Sequence, residues 1–167
     1  MMCLTLTLPL IVNGVGMFED QQVLLKPEDY HPDYCNVTSY KFAFLHGLVH
    51  GLWPEVCSQC TTCSYPTCCH MDKFGKFVMP KDTSFIDKYW FNGESHHPGQ
   101  VCGIVIETLF EHEVLKHASC MGLFADDYVK IVSKVFNTYH SDLDKLCHSK
   151  SECELDLNWD FSLRTSN

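Results

Sequence analysis

Two short stretches of the chain concentrate side chains able to do chemistry. Glu111-His112-Glu113-Val114-Leu115-Lys116-His117 packs two imidazoles, two carboxylates and one ammonium together. On a helix, at about 100° per residue, His112, Glu113, Lys116 and His117 share less than half of the circumference. A solvated charged face is the ordinary alternative for such a run, but that face normally carries more Lys and Glu and fewer His. A zinc-protease helix needs His at i and i+4, and the residue four after His112 is Lys116, a cation that would repel the metal. This set of groups suits phosphoryl transfer without a metal. One imidazole removes a proton from the attacking oxygen, another protonates the leaving oxygen, and the lysine offsets charge on the phosphorane. The second stretch, Val49-His50-Gly51-Leu52-Trp53-Pro54, offers His50 as the partner imidazole beside an aromatic ring. Its alternative is a satisfied histidine next to a core tryptophan.

Certain elements must position these groups. Apolar clustering predicts strands over Gln21–Leu25 and Lys41–Val49, separated by a turn marked by Pro27, Pro32 and Asp33. Cys57 to His70 is a cysteine-dense loop too irregular for either period. Asp82 opens a short helix with Phe85, Ile86, Tyr89 and Trp90 on one face, stopped by Asn92 and Gly93. A polar loop with His96, His97 and Pro98 follows. The apolar run Val101–Ile106 fits strand or helix, and its continuation, Glu107 to Cys120, reads as helical. The clearest helix is capped at Asp126 or Asp127 and places Tyr128, Ile131, Val132, Val135, Phe136 and Tyr139 on one stripe. Finally, Cys153–Phe161 alternates Leu155, Leu157 and Trp159 against polar residues, the period of a half-buried strand. Strands at both ends with helices between give an α+β class, a central antiparallel sheet with helices packed on it.

The 167 residues fit one domain, 17–167, after a leader over 1–16. The leader is read from the apolar stretch Met1 to Val12 and the small residues Gly14, Val15 and Gly16, although no Lys or Arg precedes it and Pro9 interrupts it; an N-terminal core strand is the alternative. Eleven cysteines, ten without Cys3, imply bridges in an oxidising compartment, and Asn36-Val37-Thr38 is a glycosylation acceptor. The protein is therefore expected to be soluble, secreted or held in a lysosomal or vacuolar lumen, with no membrane partner. A net charge of −9 excludes non-specific coating of DNA, yet protonating all ten histidines would bring the chain close to neutrality.

His50-Gly51-Leu52-Trp53-Pro54, followed roughly sixty residues later by His112-Glu113-Val114-Leu115-Lys116-His117-Ala118-Ser119-Cys120, resembles the two active-site segments of the ribonuclease T2 family. Those segments of secreted acid endoribonucleases usually read close to FTIHGLWP and FWEHEWxKHGTC. Weaker echoes lie in His31-Pro32-Asp33-Tyr34-Cys35, Asp87-Lys88-Tyr89-Trp90 and Glu152-Cys153-Glu154-Leu155. Departures are Leu109, Phe110 and Val114 in place of three aromatics, Ala118-Ser119 in place of Gly-Thr, and a missing segment of several dozen residues near Leu146–Ser151 that would leave an exposed sheet edge. Leu45-His46-Gly47-Leu48 duplicates the His50 segment; only His50 precedes Trp-Pro, so His46 is read as structural.

The resemblance implies a T2-like, disulfide-linked fold and cleavage of single-stranded RNA, not DNA, by a monomer needing no cofactor or metal. His117 would be the general base on the ribose 2′-hydroxyl and His50 the general acid on the 5′-oxygen. Glu113 and Lys116 would stabilise the pentacovalent phosphorus and His112 would bind the phosphate. The product is a 2′,3′-cyclic phosphate, later opened to a 3′-phosphate. Trp53 would stack on a base, and Glu55 would contact it or be a surface carboxylate. Cys120 would bridge to Cys63, Cys68 or Cys69, and Cys147 to Cys153. His31, His70, His96, His97, His140 and His148 are read as surface or structural. Two other classes compete: an RNA-binding or interaction protein of the same fold without turnover, and a metal module built on Cys57, Cys60, Cys63, Cys68 and Cys69.

Overall fold

A computed structural model describes residues 37–58, 62–93, 96–148 and 150–164. The expected leader, the strand at 21–25, the turn after it and the acceptor Asn36 lie outside the described residues. In chain order the elements are β1 (Val37–Leu45), β2 (Leu48–Ser58), β3 (Thr62–Ser64), α1 (Met71–Phe74), α2 (Ser84–Tyr89), β4 (His96–Val101), β5 (Ile104–Thr108), α3 (Leu109–Lys116), α4 (Ala125–Tyr139), α5 (Leu143–Leu146) and β6 (Glu152–Asn158). It is a mixed α/β fold with a four-stranded antiparallel sheet, order β3-β2-β1-β6, and a separate β4-β5 ribbon.

The strand expected over 41–49 is instead a hairpin. The chain reverses at His46-Gly47, where φ is 52° and 77°, and Leu45 pairs with Leu48. Positive φ at both central residues is the geometry whose twist matches the flanking strands. The same device breaks the ambiguous run at 101–106: Cys102 and Gly103 have φ of 53° and 77°, and Val101 pairs with Ile104. The expected polar loop at His96–Pro98 is therefore strand β4, and the helix expected over 107–120 shortens to α3 plus a 3₁₀ turn at Ala118–Met121. The cysteine-dense segment is likewise more regular than its composition suggests, since Val56 to Ser58 pair with Ser64 to Thr62.

β1 buries Tyr40, Phe42 and Phe44 on one face, and on the other buries Ser39 and Ala43 as well, leaving Lys41 between them half-buried. Against its apolar face packs α4, whose buried stripe is Tyr128, Ile131, Val132, Val135 and Phe136. Asp126 and Asp127 sit in the first turn of α4, where they favour the helix dipole; Phe124 holds the cap position, with no side-chain bond there. Phe85 and Tyr89 of α2 meet Phe136 with ring centroids 5.6 Å and 4.8 Å away. In β6, Leu155 and Leu157 enter the core, but the alternation ends there. Trp159 is 61% exposed and Phe161, turned by a φ of 63°, takes the inward place against Tyr40 at 4.7 Å. The outer edge of β6 is part-covered by the segment that follows it, through a bridge from Leu157 to Leu163 and a bond from the Arg164 amide to the Asp156 carbonyl.

Three disulfides link described residues: Cys68–Cys102, Cys69–Cys120 and Cys147–Cys153. Two match the pairings the resemblance implied, and the first is additional. They are consistent with an oxidising compartment. Among the described residues no helix is long and apolar enough to cross a membrane.

Candidate active site

The β1-β2 ladder slips at two places, between Val37 and Ser39 and between Ala43 and Phe44; at the second, Ala43 pairs with Gly51 and Phe44 with Val49, so His50 has no cross-strand partner. An extra residue changes which face each later side chain meets. Val49 and Leu52, three residues apart, both enter the core, whereas in a regular strand they would point oppositely. His50 and Trp53 correspondingly come together, their rings at 5.4 Å, edge to face.

The edge of β2 away from β1 is closed by side chains and loops. The Tyr128 hydroxyl accepts from the Leu52 amide at 2.9 Å and donates to the Leu52 carbonyl at 3.0 Å. Nearby, the Phe91 amide donates to the Val49 carbonyl at 2.7 Å. A tyrosine hydroxyl thus does for Leu52 what a neighbouring strand would do. Tyr128 was read from sequence only as part of the apolar stripe.

Helix α3 delivers the remaining groups. Thr108 caps it, its hydroxyl accepting from the Glu111 amide, while Glu111 reaches back to the Glu107 amide at 2.8 Å. Val114 and Leu115 face apolar clusters, and Glu113 is carried to β2. Its carboxyl accepts from the Trp53 indole N–H at 2.7 Å and stands 3.5 Å from His50 Nε2. Gly51 makes this approach possible. A Cβ there would overlap Glu113 Oε2 and lie 2.6 Å from Trp53 Nε1. A glycine inside a strand marks a bulge or a close approach, but the strand expected from sequence ended at Val49, and only the observed β2 places Gly51 within one.

At the C-terminal end of α3, His117 stacks on Trp53 with centroids 5.3 Å apart and planes 30° apart. Its Nδ1 is buried with no hydrogen-bond partner among the described residues, so the indole is the contact that orients the ring. The two rings His50 and His117, from distant parts of the chain, therefore lie against one tryptophan. The helix end is clamped by the neighbouring cysteines: the Cys68 amide donates to the Lys116 carbonyl at 2.9 Å, Cys69 is bonded to Cys120, and Cys68 ties the segment to the β4-β5 turn.

Burial sets the protonation of the group. It pushes the Glu113 carboxyl up to about 8, against the downward pull of the Trp53 hydrogen bond and of Lys116. Desolvation, with Lys116 and neighbouring imidazoles adding repulsion, pulls His117 down to about 3 and His112 to about 4. His50 is lowered by burial and then by Lys116, against an upward pull from Glu152 and Glu154. Near neutrality Glu113 and His50 are thus both uncharged, and their proximity is a neutral contact and not an ion pair.

Glu55 is not the surface carboxylate that was one of its two expected roles. Its carboxylate is 5% exposed, accepts from Ser39 Oγ at 2.5 Å and lies 3.5 Å from the Arg164 guanidinium. It braces the outer sheet face, because a buried carboxylate needs partners. His46 sits in the hairpin turn, its amide donating to the Ser151 carbonyl. Cys68 and Cys69, two thiols of the alternative metal module, are consumed in bridges. Comparison with known proteins finds no match to this chain among protein families, curated proteins or solved structures.

Proposed function

We propose that this protein is a secreted or lysosomal/vacuolar, metal-independent endoribonuclease of ribonuclease T2-like fold, cleaving single-stranded RNA by transphosphorylation. The observation that carries the reading is the pair of imidazoles, His50 and His117, brought to one indole with Glu113 and Lys116 beside them. His117, held neutral down to about pH 3, accepts the proton of the ribose 2′-hydroxyl as that oxygen attacks phosphorus. The 5′-oxygen leaves with a proton from His50, giving a 2′,3′-cyclic phosphate that water later opens by the reverse proton movements. Lys116 and His112 meet the phosphate charge, and Glu113, uncharged below about pH 8, stands close to the phosphorane without repelling it. An arriving phosphodiester anion opposes Lys116 and raises the pKa of His50, supplying the protonated acid that the empty site lacks. Trp53 offers the base-stacking surface. DNA, lacking the 2′-hydroxyl, is not a substrate.

The experiment is incubation of the purified protein with a dinucleoside monophosphate and with its deoxy analogue, in chelator, from pH 4 to 8. Cyclic phosphate from RNA alone, abolished in His50→Ala and His117→Ala, is the expected result. Unimpaired turnover in either variant refutes the assignment. RNA bound without cyclic product would make the protein an interaction module of the same fold.

A further inference from the structure

The bulged residue His50 lies between two anchors on the edge of β2 that faces away from β1. Upstream, the Phe91 amide donates to the Val49 carbonyl at 2.7 Å, and Val49 forms a parallel bridge with Trp90. Downstream, the Tyr128 hydroxyl holds the Leu52 amide at 2.9 Å and the Leu52 carbonyl at 3.0 Å. Those two groups belong to different peptides, so one side-chain oxygen fixes both the link from Gly51 and the link to Trp53. A hydroxyl serves because it accepts and donates at a single atom. Its ring is fixed in turn, fully buried with the Trp90 and Phe110 rings at 5.9 Å and 6.5 Å. The two ends of this segment differ in freedom: Leu52 is completely buried, whereas the His50 side chain is 34% exposed. Continuing the register found below the bulge would set Phe44 against His50 in place of Val49. The imidazole would then share the core face with Phe42 and Phe44 and lose Trp53. Without the hydroxyl, two buried peptide groups are left unpaired, and the strand relaxes where it is least buried, at His50.

We propose that Tyr128 is a positioning residue for the proton donor: acting through the two Leu52 peptide groups, its hydroxyl sets the aim of the His50 ring. The proposal rests on the nuclease reading for the donor role of His50, and on the two hydrogen bonds for its residue. Tyr128 is buried behind β2 and reaches no substrate, so its effect is confined to the step in which His50 gives up a proton.

The test uses two substrates that differ in their need for that proton. A dinucleoside monophosphate expels an alkoxide, which needs the acid; a nucleoside 3′-(4-nitrophenyl phosphate) expels a stabilised phenolate, which does not. Tyr128→Phe keeps the ring and removes one oxygen atom. It should lower kcat on the dinucleoside about tenfold, while KM and the rate on the aryl ester stay within about twofold of the parent. His50→Ala should show the same selectivity with a larger loss, about a hundredfold or more. An equal fall on both substrates, or an undiminished dinucleoside rate, overturns the proposal, because a merely structural role moves both rates together. A separate arm needs no turnover. The His50 ring protons lie at the Trp53 indole, and the ring-current shift this gives them in the NMR spectrum should change in Tyr128→Phe, while that of His117, stacked on the same indole, is kept. A parent protein that cleaves neither substrate would fail the nuclease reading, and a His50 ring unmoved in Tyr128→Phe would fail this one.

Discussion

Replacing Gly51 with alanine tests the packing on which the site depends. The added methyl would overlap the Glu113 carboxyl and stand 2.6 Å from the Trp53 indole nitrogen and 2.9 Å from Glu113 Cδ. Glu113 is only 1% exposed, so its carboxyl has no open space to swing into. Either the Trp53–Glu113 hydrogen bond breaks, leaving the buried Glu113 carboxyl and the part-buried indole N–H unpaired at about 1 to 3 kcal/mol, or β2 moves away from α3, an overpacking cost of similar size. These are alternatives and do not add. A loss of about 2 kcal/mol lowers the melting temperature by about 4 to 8 °C for a chain of this length. The same displacement, on the order of 1 Å, separates His50 from His117 and should reduce RNA cleavage about a hundredfold. Gly47→Ala is the control: it strains a residue at φ 77° but meets nothing within 4 Å, so stability falls slightly and cleavage persists. Calorimetry and initial rates on a dinucleoside monophosphate read both effects. A Gly51→Ala protein melting within about 1 °C of the parent with undiminished turnover would refute the reasoning.

Three further outcomes are expected. The unfolded chain protonates His112 and His117 near pH 6.5 but the folded chain only near 4 and 3, so their contribution is present above pH 6.5 and lost as pH falls. Glu113 acts oppositely, with stability present below about 4.5 and lost as pH rises towards 8. Each fully buried group changes stability by roughly 1 kcal/mol per pH unit, less for His112, which is partly solvated. Melting temperature should peak near pH 6.5, and Glu113→Gln, which still accepts from Trp53, should flatten the alkaline side; an unchanged profile in that variant contradicts the assignment. Tyr128→Phe strips Leu52 of both its bonds and should cost about 1 to 3 kcal/mol in denaturant unfolding. Replacing Cys69 and Cys120 together by serine should cost about 2 to 4 kcal/mol and impair turnover more than replacing Cys147 and Cys153, because only the former bridge anchors the His117 end of α3.

The segments legible from sequence were those whose surroundings repeat with a regular period. The stripe from Tyr128 to Phe136 and the alternation through Leu155 and Leu157 each face one uniform environment, and both elements formed. The two hairpins were hidden because His46-Gly47 and Cys102-Gly103 lack the Asn-Gly or Asp-Gly signature, and apolar residues run up to both turns. Trp159 was misplaced because a turn after Asn158 ends an alternation that composition alone continues.

The inventory of the site is written in local spacing: which groups can exchange protons, and that His112, Glu113, Lys116 and His117 share one side of a short helix and its C-terminal cap. Folding supplies the rest: a slipped ladder residue turns His50 towards Trp53, Gly51 admits Glu113, and Glu55 is buried against Ser39 and Arg164. Local spacing fixes the relation of residues a few positions apart. Desolvation and proton affinity are set by atoms that folding brings in from sixty or more positions away, and no short-range pattern records them.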